Sequence, residues 1–385
     1  KLDYPETRKV DTVDVYFGTQ VADPYRWLED DNSTETAEWV KAQNAVTNDY
    51  LSTIPFRGEL KEKLTALSNY EKMGTPWKED GKYYFFKNDG LQNQSVIYEC
   101  DSLGGEARVL LDPNKLSEDG TVSLGSFSFS KDRKYLAYVI SRSGSDWNEI
   151  YVMDAATGEL LEDHIEWAKF TGVSWQGDGF YYSAYDAPAD GKGLSAKNEF
   201  QKVYYHKIGT PQSQDRLEYM NKQHPLRFYQ LGVTEDERFL VLYESDGEGN
   251  AIYVKDTKAP NAKYVCIADD MSKDNGIVYS DDKRILMKTN EDAPNYKVVA
   301  FDVKNLGVGK GKVLIPETEN LLESVNMAGD KMIATYMENI ANHAYLLDGN
   351  GNKIREIKLP TVGSVGFSSS HKHNEVFYSF SSYTF

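Results

Sequence analysis

Residues 127–164, FSFSKDRKYLAYVISRSGSDWNEIYVMDAATGELLEDH, carry the pattern that decides the fold. Ser130-Lys-Asp-Arg133 leads into the alternating run YLAYVI at 135–140, and a Ser/Gly/Asp cluster at 141–148 breaks the chain. Residues 149–153 then read as a strand, and Asp154-Ala-Ala-Thr-Gly158 turns into residues 159–162. Side chains alternate between the two faces of a strand, while Asp and Gly supply the tight or positive-φ positions of hairpins. The stretch therefore predicts four short antiparallel strands.

The same phrase recurs. KEDGKYYFF follows Trp77, SKDRKYLAY follows Phe129, QGDGFYYSAY follows Trp175 and TEDERFLVLY follows Val233. SDDKRILMKT then follows Tyr279, MAGDKMIATY follows Asn326 and SSSHKHNEVFYSF follows Phe367. The starts lie 52, 46, 58, 46, 47 and 41 residues apart. Units of this length with four strands each are the mark of a β-propeller. Seven starts predict an all-β, seven-bladed propeller over residues 73–385, preceded by a short α-helical extension at 1–72. The seventh blade has about 19 residues before Phe385, enough for two strands of four, so the reading ends in mid-blade.

Composition narrows the function classes. A net charge of −17 argues against nucleic acid and anionic membrane surfaces as partners and fits an acidic soluble protein. The 27 tyrosines suit sheets whose side chains have one apolar and one wet end. Cys100 and Cys266 fall in different repeats, which argues against a disulfide, and neither belongs to a metal motif. No apolar run approaches a membrane span, and no stretch reads as a signal peptide. The chain begins at Lys1 rather than Met, leaving a removed leader or tag open, and with it the compartment, cytoplasmic or periplasmic.

Residues 1–22 read as polar and irregular. Asn32 with Glu35 three residues on forms a capping-box pattern, after which Trp39, Ala42, Val46 and Tyr50 fall on one helical face. A second helix opens at or near Pro55 and carries Phe56, Leu60, Leu64 and Leu67. Both helices thus have an apolar face to bury. Asp186–Asn198 reads as a surface loop, and residues 339–343 and 348–353 read as blade turns.

The segment DPYRWLED, made of Asp23, Pro24, Tyr25, Arg26, Trp27, Leu28, Glu29 and Asp30, resembles the N-terminal element of the prolyl oligopeptidase family of serine peptidases. Further stretches agree in order along the chain: Tyr70-Glu-Lys72, Lys87-Asn-Asp-Gly-Leu-Gln92, Ser143-Gly-Ser-Asp-Trp147, Lys202-Val-Tyr-Tyr-His-Lys207 and Ala293-Pro-Asn-Tyr296. Glu29 and the Pro24-Tyr25 pair favour the prolyl branch over the oligopeptidase B branch. The absence of adjacent glutamates in residues 146–150 disfavours the dipeptidyl peptidase branch. The resemblance implies a helical extension, a seven-bladed propeller that admits only short peptides, and a C-terminal α/β-hydrolase domain holding Ser, Asp and His. It implies cleavage after proline by an acyl-enzyme route, and the hydrolase domain is missing from the stretch matched here. It also implies that Asp146 faces a substrate-binding Arg of the hydrolase domain, and that Phe170 and Phe228 line the outer substrate pocket. The plain alternatives are a turn Asp that caps backbone amides and two aromatics of the blade core.

The chemistry itself finds no motif. An α/β-hydrolase nucleophile sits in Gly-x-Ser-x-Gly, because its strained elbow tolerates only small neighbours. No Ser here has that surround; Gly172-Val-Ser174-Trp-Gln-Gly177 misses by one residue. Asp348-Gly-Asn-Gly-Asn352 resembles a calcium loop, but Lys353 and Leu359 stand where that loop requires Gly and Glu. His371 and His373 alternate beside a serine-rich turn, and residues 307–312 lack phosphate-loop spacing. The sequence predicts no cofactor, no metal and no catalytic residue. The expected partners are short proline-containing peptides and the hydrolase domain. The competing reading is a free-standing propeller that acts as a binding or scaffold module, or a pseudo-enzyme; its weakness is the unpaired sheet edge of an unfinished blade.

Overall fold

A computed structural model describes residues 2–189 and 191–384. Asp190, in the expected loop, and Phe385, where the seventh blade was expected to break off, lie outside the described residues. The chain divides into two compact units: residues 1–70 with Asp186–Asn198, and residues 71–185 with 199–385.

The larger unit is a succession of antiparallel sheets taken in chain order. Blade 1 pairs Lys72–Met73 and Trp77–Glu79 with Lys82–Asn88, followed by Val96–Cys100 and Ala107–Leu111. Blade 2 comprises Val122–Phe129, Tyr135–Arg142, Trp147–Asp154 and Leu160–Lys169. Blade 3 comprises Ser174–Gln176, Gly179–Ala184, Lys202–Lys207 and Arg216–Met220, and joins blade 2 at Ala168 and Ala184. Blade 4 opens with Phe228–Val233, blade 5 with Asn275–Ser280 and blade 6 with Leu321–Ala328, each being a four-stranded meander. Ser364–Ser368 and Phe377–Ser381 then form a two-stranded sheet.

The recurring phrase works through its turn. The Ser130 amide donates to the Tyr135 carbonyl across it, and the Tyr135 amide donates back to the Ser130 hydroxyl oxygen. Asp132 Oδ1 accepts from the Ser130 hydroxyl at 2.7 Å and the Lys134 amide at 3.1 Å, and Arg133 takes φ 64°. Blade 4 repeats the device with Thr234, Asp236 and Arg238, and with Glu237 at φ 58°. A short acidic side chain that gathers backbone donors fixes a tight turn, so an Asp recurs at this place.

Alternation along the second strand of each blade builds the core. In Tyr135–Arg142, Leu136, Tyr138 and Ile140 pack towards blade 1, while Ala137 and Val139 pack towards blade 3. In Phe239–Ser245, Phe239 and Val241 face blade 5, and Leu240 and Leu242 face blade 3. One strand thus serves two inter-blade interfaces. Cys100 and Cys266 are free thiols in blades 1 and 4.

The smaller unit departs from expectation in several places. Residues 1–22 are not wholly irregular: Val13–Tyr16 pairs with Thr19–Ala22 around Phe17 and Gly18, both at positive φ. Helix α1 is Thr34–Ser52, and its N-cap is Ser33, not Asn32. Ser33 Oγ accepts from the Thr36 amide at 3.1 Å, while the Asn32 amide is drawn to Asp30 Oδ1. Glu35 does not close a capping box; it pairs with Arg8 at 2.7 Å. Helix α2 is Arg57–Ser68, with Pro55 just ahead of it. In the larger unit, the turn expected at 339–343 narrows to Asn339 and Ile340, because His343 already lies in Ala341–Leu347. Among the described residues no helix is long and apolar enough to cross a membrane.

Candidate functional site

Two of the three residues singled out from sequence, Phe170 and Phe228, meet directly, and Asp146 is linked to them through Lys169. Leu160–Lys169 ends in Lys169, and Phe170 then turns the chain at φ 52°. Phe228 opens the first strand of blade 4, and its ring meets that of Phe170 edge-on, with centroids 5.1 Å apart. Phe170 is 43% exposed, so it belongs to a surface rather than to the blade core. Phe228 is half-buried.

Asp146 sits in the turn between Tyr135–Arg142 and Trp147–Asp154. It does not cap that turn. Ser145 Oγ takes the Trp147 amide at 3.1 Å, and the mostly exposed Asp146 carboxylate lies 3.8 Å from Lys169 Nζ. Trp147 pairs in register with Lys169, placing the ammonium 4.8 Å from the Trp147 ring and 5.5 Å from that of Phe170.

Two supports were not legible in the sequence. The register of blade 2 skips between Asn148↔Ala168 and Ile150↔Ile165, leaving a bulge that holds Trp167 at φ 57°. A bulge re-aims a side chain, and Trp167 lands edge-on against Trp147 at 5.3 Å. Gln201 is fully buried. It donates to the Lys169 carbonyl at 2.7 Å and accepts from the Tyr229 amide at 2.6 Å. One side chain therefore fixes the backbone beside both Phe170 and Phe228. A polar residue just before a strand carries no motif that would have marked it.

Close by in blade 2, burial pushes the Glu149 carboxyl up, but hydrogen bonds from Arg142, Tyr151 and His164 outweigh it and hold it at about 2. The carboxylate is a fixed anion clamped within its own blade.

Residues 77–81, 127–131, 233, 235, 368–370, 372 and 373 line a cavity of about 1150 Å³. Glu235 pairs with His371 at 3.3 Å and with Lys372 at 2.5 Å. Lys372 also lies 3.7 Å from Asp80. His373 instead turns to the Glu375 carbonyl at 3.0 Å. The two histidines thus have separate partners. Among the described residues no three His, Cys, Asp or Glu side chains converge as metal ligands. Ser174 lies in a strand of blade 3, and Asp348 accepts the Asn350 and Asn352 amides in a hairpin turn.

In the smaller unit, the Asp23–Asp30 segment is a local clamp. Arg26 bonds Asp23 at 2.6 Å and also Asp14, while Trp27 Nε1 donates to the Arg8 carbonyl at 2.9 Å beneath the Arg8 guanidinium.

Residues 4–385 match the model of a family described as prolyl oligopeptidase, N-terminal β-propeller domain. The chain belongs to this family. It is 44% identical to the prolyl endopeptidase of Elizabethkingia miricola, covering 99% of this chain and 54% of that protein. With prolyl oligopeptidase A of Galerina marginata it shares 30% identity, over 99% of this chain and 57% of that protein. A solved structure of prolyl oligopeptidase B from Galerina marginata, bound to a 35mer hydrolysis and macrocyclization substrate, superposes with a TM-score of 0.83 at 29% identity. It covers 99% of this chain and 57% of that one. The chain spans little more than half the length of these relatives, and the matched portion is the N-terminal propeller.

Proposed function

We propose that this chain is the substrate-gating portion of a serine endopeptidase that hydrolyses short peptides after proline. The match of the prolyl oligopeptidase propeller family over residues 4–385 carries the reading. In it, the ring admits short peptides and keeps larger chains out, and the Phe170–Phe228 pair with Asp146 forms an outer wall of the substrate pocket. The 385 residues hold no Gly-x-Ser-x-Gly elbow, so the nucleophile and its partners are assigned to an α/β-hydrolase domain outside them. That domain and proline-containing peptides are the partners this reading assigns. The helical part at 1–72 and the propeller at 73–385 are the division it uses.

The test is turnover of a proline-linked chromogenic peptide, with the polypeptide content of each sample checked by denaturing intact mass. The 385 residues alone are expected to give none, and the full-length polypeptide that carries them is expected to cleave short proline peptides and spare folded proteins. Turnover by the isolated chain, or none by the full-length polypeptide, overturns the reading.

A further inference from the structure

Lys169 is held as few lysines are. The residue is 8% exposed, its carbonyl is fixed by Gln201, and its place opposite Trp147 is set by strand register. An ammonium carries three N–H donors. Among the described residues Lys169 Nζ makes no hydrogen bond, and its single ion-pair partner is Asp146, at 3.8 Å. The rings of Trp147 and Phe170 attract the cation through their faces but offer no lone pair. The stem is buried, but Nζ is not among the buried atoms without a partner, so the ammonium tip faces solvent with donors that a peptide acceptor can take over from water. Here it opens beside the exposed Phe170 ring, on the wall assigned to substrate.

We propose that Lys169 is a specificity-determining residue that donates to an anionic side chain of the peptide, on the amino side of the proline. The assignment rests on the endopeptidase reading above. A chain with a net charge of −17 repels acidic peptides at long range, and Lys169 supplies a local counter-charge where the peptide meets Phe170. Asp146, 68% exposed, tethers the ammonium loosely and leaves its donors free to re-aim.

The experiment uses the full-length polypeptide and short proline peptides of fixed length. Glu, Gln or Lys is placed at each position on the amino side of the proline in turn, and kcat/KM is compared for the wild type, Lys169→Met and Lys169→Arg. The wild type is expected to prefer Glu over Lys at one position, and the preference should shrink with added salt. Lys169→Met should lower that Glu/Lys ratio about 10-fold, the worth of one charge-assisted hydrogen bond, whereas Lys169→Arg should keep it. If Lys169→Met fails to fold, Lys169→Gln carries the same comparison. An unchanged ratio in an active variant overturns this assignment alone. A wild type that cleaves no proline peptide overturns the endopeptidase reading, and this assignment with it.

Discussion

Helix α2 and the second strand of blade 4 both carry apolar residues at regular spacing, yet only the strand buries them. Phe239, Leu240, Val241 and Leu242 are at most 4% exposed. Phe56, just before α2, and Leu60, Leu64 and Leu67 along it are 61%, 48%, 54% and 65% exposed. The difference lies in geometry rather than composition. A blade strand sends alternate side chains to two faces, and a neighbouring sheet waits on each. A helix concentrates its apolar residues in one stripe, which needs a single opposing surface. Periodicity reveals which face is apolar; it does not say what covers it.

Three perturbations bear on this contrast. Phe239→Ala should lower the unfolding free energy by about 4 kcal/mol, since it empties a site packed from two blades. Denaturant titration measures it, and a loss below about 1 kcal/mol would break the contrast from the buried side.

His206 tests whether burial in the propeller extends to charge. It is fully buried, with Nδ1 at 2.7 Å from Asp215 Oδ1 and Nε2 at 2.9 Å from Asp163 Oδ1. Asp163 also accepts the Gly209 amide, Asp215 accepts the Tyr182 hydroxyl, and the Phe180 ring lies alongside. A neutral imidazole has one N–H, so donating to both carboxylates requires the imidazolium. Burial pushes this histidine down, but the two aspartates outweigh it and raise it above the ordinary 6.5. Because the folded value exceeds the unfolded one, the stabilisation is complete below pH 6.5 and is lost as pH rises through the folded value. His206→Gln should cost about 3 kcal/mol at pH 6 and flatten the decline that the wild type shows as pH rises above 6.5. Parallel pH–stability curves for the two proteins would show that no proton is held there.

The smallest effect belongs to the helix. Leu64→Ser should change stability by less than about 0.5 kcal/mol, as expected for a half-exposed side chain. A loss above about 2 kcal/mol, measured by thermal or denaturant unfolding, would show the α2 stripe to be covered in solution and erase the contrast.

Much of the propeller was legible because each repeat is a local statement. The Ser/Thr-x-Asp phrase specifies its own turn, and alternation specifies both faces of the strand after it. The hairpin at Val13–Tyr16 and Thr19–Ala22 was legible in principle, from alternation around Phe17-Gly18, but it was short and polar enough to read as irregular. The cap of α1 was misplaced by one residue because Asn32 and Ser33 are both good caps, and Asp30 decides between them by binding the Asn32 amide. At the candidate site Asp146, Phe170 and Phe228 were named, whereas Lys169, Trp167 and Gln201 were not.

By itself the sequence determined the antiparallel β character of the repeats, the acidic turn that recurs among them, the family and the lack of a nucleophile elbow, since these depend on neighbours within about ten residues or on recurrent spacing. Only the tertiary structure decided that Phe170 meets Phe228, that Lys169 sits between Asp146 and two aromatic rings, and that His206 holds two aspartates together. Apart from Lys169 and its neighbour Phe170, those contacts join residues 9 to 58 positions apart. Their closeness depends on strand register, on a two-residue bulge and on one buried glutamine, none of which leaves a local pattern to read.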